Sequence, residues 1–255
     1  MLKIDNISVC LKENNKEILN NINISINDNT THVLMGPNGA GKSSLVKAIM
    51  HHPSYQIQDG KVYYNDIDIT NADTSNIAKN GIYYISQTPV SIEGITNMEM
   101  IRTSLLDKGI KQDIFSFKKE CTKICEKLKL PKSFLNRYIN EGMSGGERKK
   151  NELFGMWLLK PSLVILDEVD SGLDVDALKL VGESLKEYQK ETGASILLIT
   201  HQEKLINMFD NVSVHVIANN TVIENGDKLL ATDIINNGFL KYDVTNEVSS
   251  EIDGE

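Results

Sequence analysis

Leu163 to Leu166 is apolar at every position, and the chain then meets five carboxylates: Asp167, Glu168, Asp170, Asp174 and Asp176. Such a run is the pattern of a parallel strand buried on both faces, so Asp167 and Glu168 stand at the end of a buried element. Carboxylate oxygens are hard donors suited to Mg²⁺, and a carboxylate one residue further on is placed to polarise a water as general base. A solvated turn accounts for Asp174 and Asp176, but poorly for two carboxylates set directly on an apolar strand. The stretch "GPNGAGKSS", Gly36 to Ser44, fits G-x-x-x-x-G-K-[ST] with Gly36, Gly41, Lys42 and Ser43. Gly36, Pro37, Asn38, Gly39, Ala40 and Gly41 can curl so that successive N–H groups point at phosphate oxygens, aided by the positive end of a following helix. Lys42 then reaches the β- and γ-phosphates, Ser43 joins Asp167 in holding Mg²⁺, and Ser44 completes the phosphate-binding stretch. In "MSGGERKKNEL", Ser144, Gly145 and Gly146 open a helix whose amides and dipole can face a γ-phosphate.

These residues need strands and helices to carry them. Residues 1 to 35 alternate apolar and polar in three runs, "LKIDNISVCL", "ILNNINISI" and "THVLM", which read as strands. After the Gly-rich stretch, Leu45, Ala48 and Ile49 follow a helical spacing, and "KVYYNDIDI" and "IYYIS" are further strand candidates. From about 95 to 160 the period is helical, with Phe117, Cys121, Ile124, Cys125 and Leu128 on one stripe. "LVIL" and "SILLIT" read as buried parallel strands with a helix at about 175 to 190 between them, and 212 to 226 as a hairpin turning at Asn219-Asn220. The expected fold is α/β: a mixed core sheet carrying the phosphate loop, a small antiparallel β subdomain and an inserted helical subdomain. One domain spans 1–241, and 242–255 is an acidic tail expected to be disordered.

Composition narrows the classes. The net charge is −8, but the last fourteen residues hold five carboxylates and no Lys or Arg, so the remainder carries −3. A nearly balanced body lacks the clustered basic residues that a nucleic-acid footprint needs. Cys10, Cys121 and Cys125 are too few and too irregular for a disulfide framework, which fits a reducing, cytoplasmic setting. There is no signal-peptide pattern after Met1, and no apolar run approaches the ~18 residues of a membrane span.

In the order Gly36–Ser44, Gln87, Ser144–Glu147, Asp167–Glu168, "SGLD" and "ITH", the chain resembles the ATP-binding cassette (ABC) family over nearly its whole length. The resemblance implies an ATPase that takes MgATP as substrate. It assigns Gln87 to the metal and the nucleophilic water, Glu168 to the general base, Asp174 to the D-loop, and His201 to the γ-phosphate as the switch histidine. It also implies an ATP-dependent homodimer in which Ser144, Gly145, Gly146 and Glu147 of one copy complete the site of the other in trans. The chain departs from the family's usual pattern in four places: there is no Phe, Tyr or Trp before Tyr55 to stack on adenine, Met143 replaces Leu, Glu147 replaces Gln, and Val169-Asp170 replaces Pro-Thr.

"NEGMSGGERKKNEL" with "LDEVDSGLDVDALKLV" is similar to the SufC-type ATPases of the Suf iron–sulfur cluster assembly system, as is "QTPVSIEGIT" after Gln87. This implies partner scaffold subunits of the SufB/SufD type and no membrane insertion. The alternative from the same fold is the nucleotide-binding subunit of an ABC transporter. A third is a nonhydrolytic module that dimerises on ATP, against which stand intact Lys42, Glu168 and His201. The basic run beside the acidic cluster predicts a resting ion pair from Lys149 or Lys150 to Glu168 or Asp170, with Asp170, Asp174 and Asp176 facing a dimer partner. Cys121 and Cys125 lie on the apolar stripe, which favours packing over metal binding, and His51 and His52 read as helix-end residues.

Overall fold

The computed structural model describes residues 1–242, so the expected acidic tail lies, apart from Tyr242, outside the described residues. In chain order the elements are β1 (Leu2–Leu11), β2 (Glu17–Ile26), β3 (Thr31–Met35), α1 (Lys42–Ile49), β4 (Tyr55–Tyr64), β5 (Ile67–Asp68), α2 (Thr74–Lys79) and β6 (Ile82–Ile85). The middle region holds β7 (Ile92–Thr96), α3 (Asn97–Asp107), α4 (Ile114–Lys127), β8 (Tyr138–Ile139) and α5 (Gly145–Leu159). β9 (Leu163–Asp167), α6 (Val175–Thr192), β10 (Ser195–Ile199), α7 (Glu203–Asn207), β11 (Val212–Ala218), β12 (Thr221–Gly226) and α8 (Lys228–Asn237) follow, and a 3₁₀ turn at Leu240–Tyr242 ends the described chain.

A six-stranded sheet of order β12-β11-β3-β10-β9-β6 is parallel except for the β11–β12 hairpin at its edge. Its central strands are apolar on consecutive residues because both faces are covered. Val33, Met35, Val164, Leu166, Ile196 and Leu198 enter a core shared with α4, α5 and α6. Leu34, Leu163, Ile165, Leu197 and Ile199 enter a second core shared with α1 and the antiparallel sheet β2-β1-β4-β5. Parallel pairing sets Asp167 beside Ile199, so the ends of β9 and β10 open at one edge of the sheet, next to the loop that leaves β3.

The helices have local reasons to start where they do. Thr96 and Ser144 open α3 and α5 with reciprocal capping boxes to Glu99 and Glu147, while Asp113 and Asp174 cap α4 and α6. Trp157 ties three helices together: its indole N–H donates to Ser184 Oγ at 2.9 Å, and its ring meets Tyr188 edge-on and lies 3.3 Å beneath Lys127 Nζ. On the antiparallel side, His32 and His215 stack within the buried sheet, with 2.8 Å between Nδ1 and Nε2, and His215 Nδ1 lies 2.6 Å from Asn225 Oδ1.

Candidate functional site

The β3–α1 loop needs its glycines. Gly39 and Gly41 have φ of 80° and 95°, conformations open to glycine at little cost. A Cβ on Gly41 would sit 2.7 Å from Leu19 Cδ2, and one on Gly36 would collide with the Ile217 carbonyl. Lys42 is buried beneath the loop, where its ammonium donates to the carbonyls of Gly36 and Pro37 at 2.8 and 2.9 Å. Burial lowers its pKa, partly offset by Glu168 and Asp167. A cavity of about 320 Å³ is lined by Asn38, Gly39, Gly41, Lys42, Ser43, Ser44 and Glu168. Six of the sequence-derived phosphate-binding residues and the candidate base Glu168 thus line one cavity, while Gly36, Pro37 and Ala40 do not line it.

Asp167, 2% exposed, is held from two sides. Ser43 Oγ donates to its Oδ1 at 2.7 Å and Tyr84 Oη to its Oδ2 at 2.9 Å. Tyr84 was invisible in the sequence, because an aromatic in "IYYI" reads as core; its place three residues before Gln87 is the one available signal. Ser43 Oγ and the Asp167 carboxylate form a convergent set of hard oxygens, a donor chemistry that fits Mg²⁺. Glu168 follows with φ 45°, and its N–H donates to Ile199 O. Its Oε2 accepts from Gln87 Nε2 at 2.8 Å.

The expected lysine contact is not made. Lys149 is 5% exposed and donates to the carbonyls of Ser86 and Gln87 at 2.9 and 3.0 Å, and among the described residues neither Lys149 nor Lys150 forms an ion pair with Glu168 or Asp170. A helix period explains this: Lys149, Leu153 and Met156 share the buried face of α5, so the ammonium snorkels to backbone carbonyls below Gln87. Glu168 is instead restrained by Gln87, and among the described residues Asp170 keeps a buried Oδ1 without a partner.

A second cavity, about 630 Å³, takes Ser144, Gly146, Glu147, Lys150, Asp174 and Asp176 among its lining, and none of its residues is shared with the first. Glu147 both caps the Ser144 N–H at 2.9 Å and pairs with Arg137 at 2.9 Å, which gives a local reason for Glu where Gln was expected. Asp174 accepts from Ala177 N at 2.7 Å as the α6 cap. Asn140, 1% exposed, joins the segment after Gln87 to α5: its amide donates to Val90 O and its Oδ1 accepts from Asn151. His201 follows β10 by two residues, and burial of part of its ring, then Lys42, lowers its pKa below the usual histidine value. Cys121 and Cys125 are packed in α4, where burial pushes their pKa values up to about 12 and about 11.

The profile of the family described as ABC transporter matches residues 19–171. A probable ATP-dependent transporter, ycf16, of Cyanidium caldarium is 39% identical over 94% of this chain and 95% of the relative. The chain belongs to the ABC transporter family. A probable ABC transporter ATP-binding protein of Streptococcus pyogenes is 36% identical, covering 94% of this chain and 93% of the relative. The fold is that of solved ABC cassettes: the ATP-binding cassette MJ0796, described as dimeric and bound to ADP and Pi, superposes with a TM-score of 0.77 at 20% identity over 89% of this chain and 99% of that one. ABC-family membership makes the chain an ATPase, and the sequence-derived α/β fold with its phosphate loop is the fold observed. Among the described residues no helix is long and apolar enough to cross a membrane.

Proposed function

We propose that the chain hydrolyses MgATP at a site completed by a second copy of itself, and that the resulting movement drives a separate partner subunit. The observation that carries this reading is the separation of the two cavities. One copy presents a phosphate loop with its acidic pair and, apart from them, a helix N-terminus at Ser144–Gly146 beside Asp174. Two copies arranged head to tail would join each half to the other's complement. Residues 1–241 act as one ATPase domain with an inserted helical part, working in the cytoplasm.

In this reading Lys42 leaves the Gly36 and Pro37 carbonyls for the β- and γ-phosphates, while the loop amides hold the phosphate oxygens. Ser43, Asp167 and Gln87 would hold Mg²⁺, which would supply charge neutralisation on the phosphates. For Gln87 to reach its position it gives up Glu168, and the freed carboxylate accepts the proton of the attacking water. His201 holds the γ-phosphate on one side, and the other copy's Ser144, Gly145 and Gly146, fixed by Glu147, present their amides on the opposite side. One contact, Gln87 Nε2 to Glu168 Oε2, therefore keeps both residues out of their working positions at rest.

Two partner classes are open. The relatives' names favour a membrane transporter whose ATP-binding subunit this chain would be. Val169-Asp170 and the S-G-G-E-R-K-K run favour a soluble Suf-type scaffold for iron–sulfur cluster assembly. Tagged Glu168→Gln protein with MgATP, applied to soluble and membrane fractions of the native cell, distinguishes them. Capture of an integral membrane subunit establishes the transporter reading, and capture of a soluble iron-binding scaffold establishes the other. A Glu168→Gln protein that binds MgATP but stays monomeric at every concentration refutes the shared site.

A further inference from the structure

The end of the described chain returns to the site. α8 stops at Gly238, whose φ of 72° turns the backbone, and Phe239 then lies against the imidazole of His201. The ring centroids are 6.1 Å apart and the planes stand at 86°, the edge-to-face geometry in which an aromatic edge meets an electron-rich face. Gln202 N donates to Thr200 Oγ1 at 2.9 Å and so bends the backbone around His201, but among the described residues the imidazole itself makes no hydrogen bond. Its charged neighbours are Lys42, Glu168 and Asp170. Backbone geometry alone leaves the tilt of such a ring undetermined.

Phe239 is itself held. Its ring lies 6.4 Å from that of Tyr242, whose hydroxyl hydrogen-bonds Glu224 of β12. Lys241 pairs with Glu224 at 3.4 Å and with Asp233 of α8 at 2.9 Å. Both aromatic rings also pack on the main core. A braced hook, Gly238 to Tyr242, thus presents its ring to a histidine that makes no hydrogen bond among the described residues.

We infer that Phe239 is a positioning residue for His201, fixing the tilt of the imidazole toward the phosphate loop before substrate arrives. The inference rests on the reading of His201 as the group that holds the γ-phosphate. Loss of an edge-to-face pair of this kind lowers the population of the working tilt by about two- to tenfold.

The test uses the full chain at protein concentrations that saturate turnover. Phe239→Leu keeps an apolar side chain in the slot and removes the ring, while Phe239→Tyr keeps the ring. The His201 ring resonances are assigned by their loss in His201→Gln. The expected result is that Phe239→Leu shifts those resonances and lowers kcat by about two- to tenfold, with KM for ATP and the thermal midpoint near the parent's, and that Phe239→Tyr restores both. Parent-like resonances and kcat in Phe239→Leu overturn the inference, as does a kcat loss that Phe239→Tyr does not recover or that tracks lost stability. If His201→Gln retains parental turnover, the role of His201 itself falls, and the resonance shift then reports a contact without catalytic consequence.

Discussion

Gly155 lies in the interior of α5, where helix propensity alone says that Gly155→Ala stabilises by about 0.5–1 kcal/mol. The packing says the opposite. A Cβ there would overlap Tyr83 Oη and lie 3.2 Å from Tyr83 Cζ and 3.7 Å from Ile101 Cδ1. Tyr83 has little freedom to yield, because its hydroxyl donates to Glu152 O at 3.1 Å and burial holds its pKa well above the usual tyrosine value. Displacing the phenol leaves a buried hydroxyl unpaired, about 1–3 kcal/mol, and overpacks the contact, about 1–3 kcal/mol more. After subtracting the propensity gain, Gly155→Ala is expected to cost about 1–5 kcal/mol. Tyr83→Phe alone should cost about 1 kcal/mol, since it removes one hydrogen bond. In that background the added Cβ no longer meets the oxygen, so the double variant should be more stable than Gly155→Ala, with a coupling of about 1–3 kcal/mol. Urea midpoints at constant m measure all three. A Gly155→Ala protein as stable as the parent, or a double variant no better than the sum of the single losses, refutes the reasoning. The contact joins β6, which leads to Gln87, to α5, which begins at the Ser144 cap.

Acid stability should track the buried histidine pair. Burial, then His215, lowers the His32 pKa to about 4, from about 6.5 in the unfolded chain, so its contribution is intact above about pH 6.5 and is lost as the pH falls toward 4. The full loss approaches about 3 kcal/mol, and denaturant midpoints of parent and His32→Gln between about pH 7.5 and 4.5 should converge at the acid end. Glu147→Gln keeps a side-chain acceptor for the Ser144 N–H but loses the partly exposed Arg137 ion pair, so its urea midpoint should move by less than about 1 kcal/mol. A larger loss would show that the pair orders the start of α5. Cys121 and Cys125 should react with a thiol reagent at neutral pH at the rate of unfolding, because burial raises both pKa values and removes access. A fast reaction in native buffer would contradict their burial.

Local patterns were the legible part. β1 and β3 span the residues that their alternation marked, and the Asn219-Asn220 turn carries φ of 49° and 65° between β11 and β12. The strands that were missed, β7 and β8, sit within or at the edge of a stretch that reads as helical. They pair across the chain at Ile92–Ile139 and Thr96–Tyr138, a nonlocal register that no period announces. α2 has six residues and one buried position, Ile77, too few for a 3.6-residue pattern to emerge. Lys149 was misplaced for a different reason: charge outweighed period. Its spacing to Leu153 and Met156 put it on the inner face of α5, yet a basic run invites a solvated or ion-paired reading.

The same limit appears in the site, where residue types were legible and their restraints were not. Asp167 and Glu168 follow from an apolar strand ending in two carboxylates. That Asp167 would be tied to Tyr84, and Glu168 to Gln87 rather than to a lysine, depends on parallel pairing of β6 with β9, which brings residues about eighty positions apart to one edge. Glu168 also adopts φ 45°, a region costing an ordinary side chain roughly 1 kcal/mol. Backbone preference would place Gly or Asn there; the chain places a carboxylate, so chemistry and not local conformation selects the residue. In the proposed mechanism the strain at Glu168 and the Gln87 contact beside it are released in one transition.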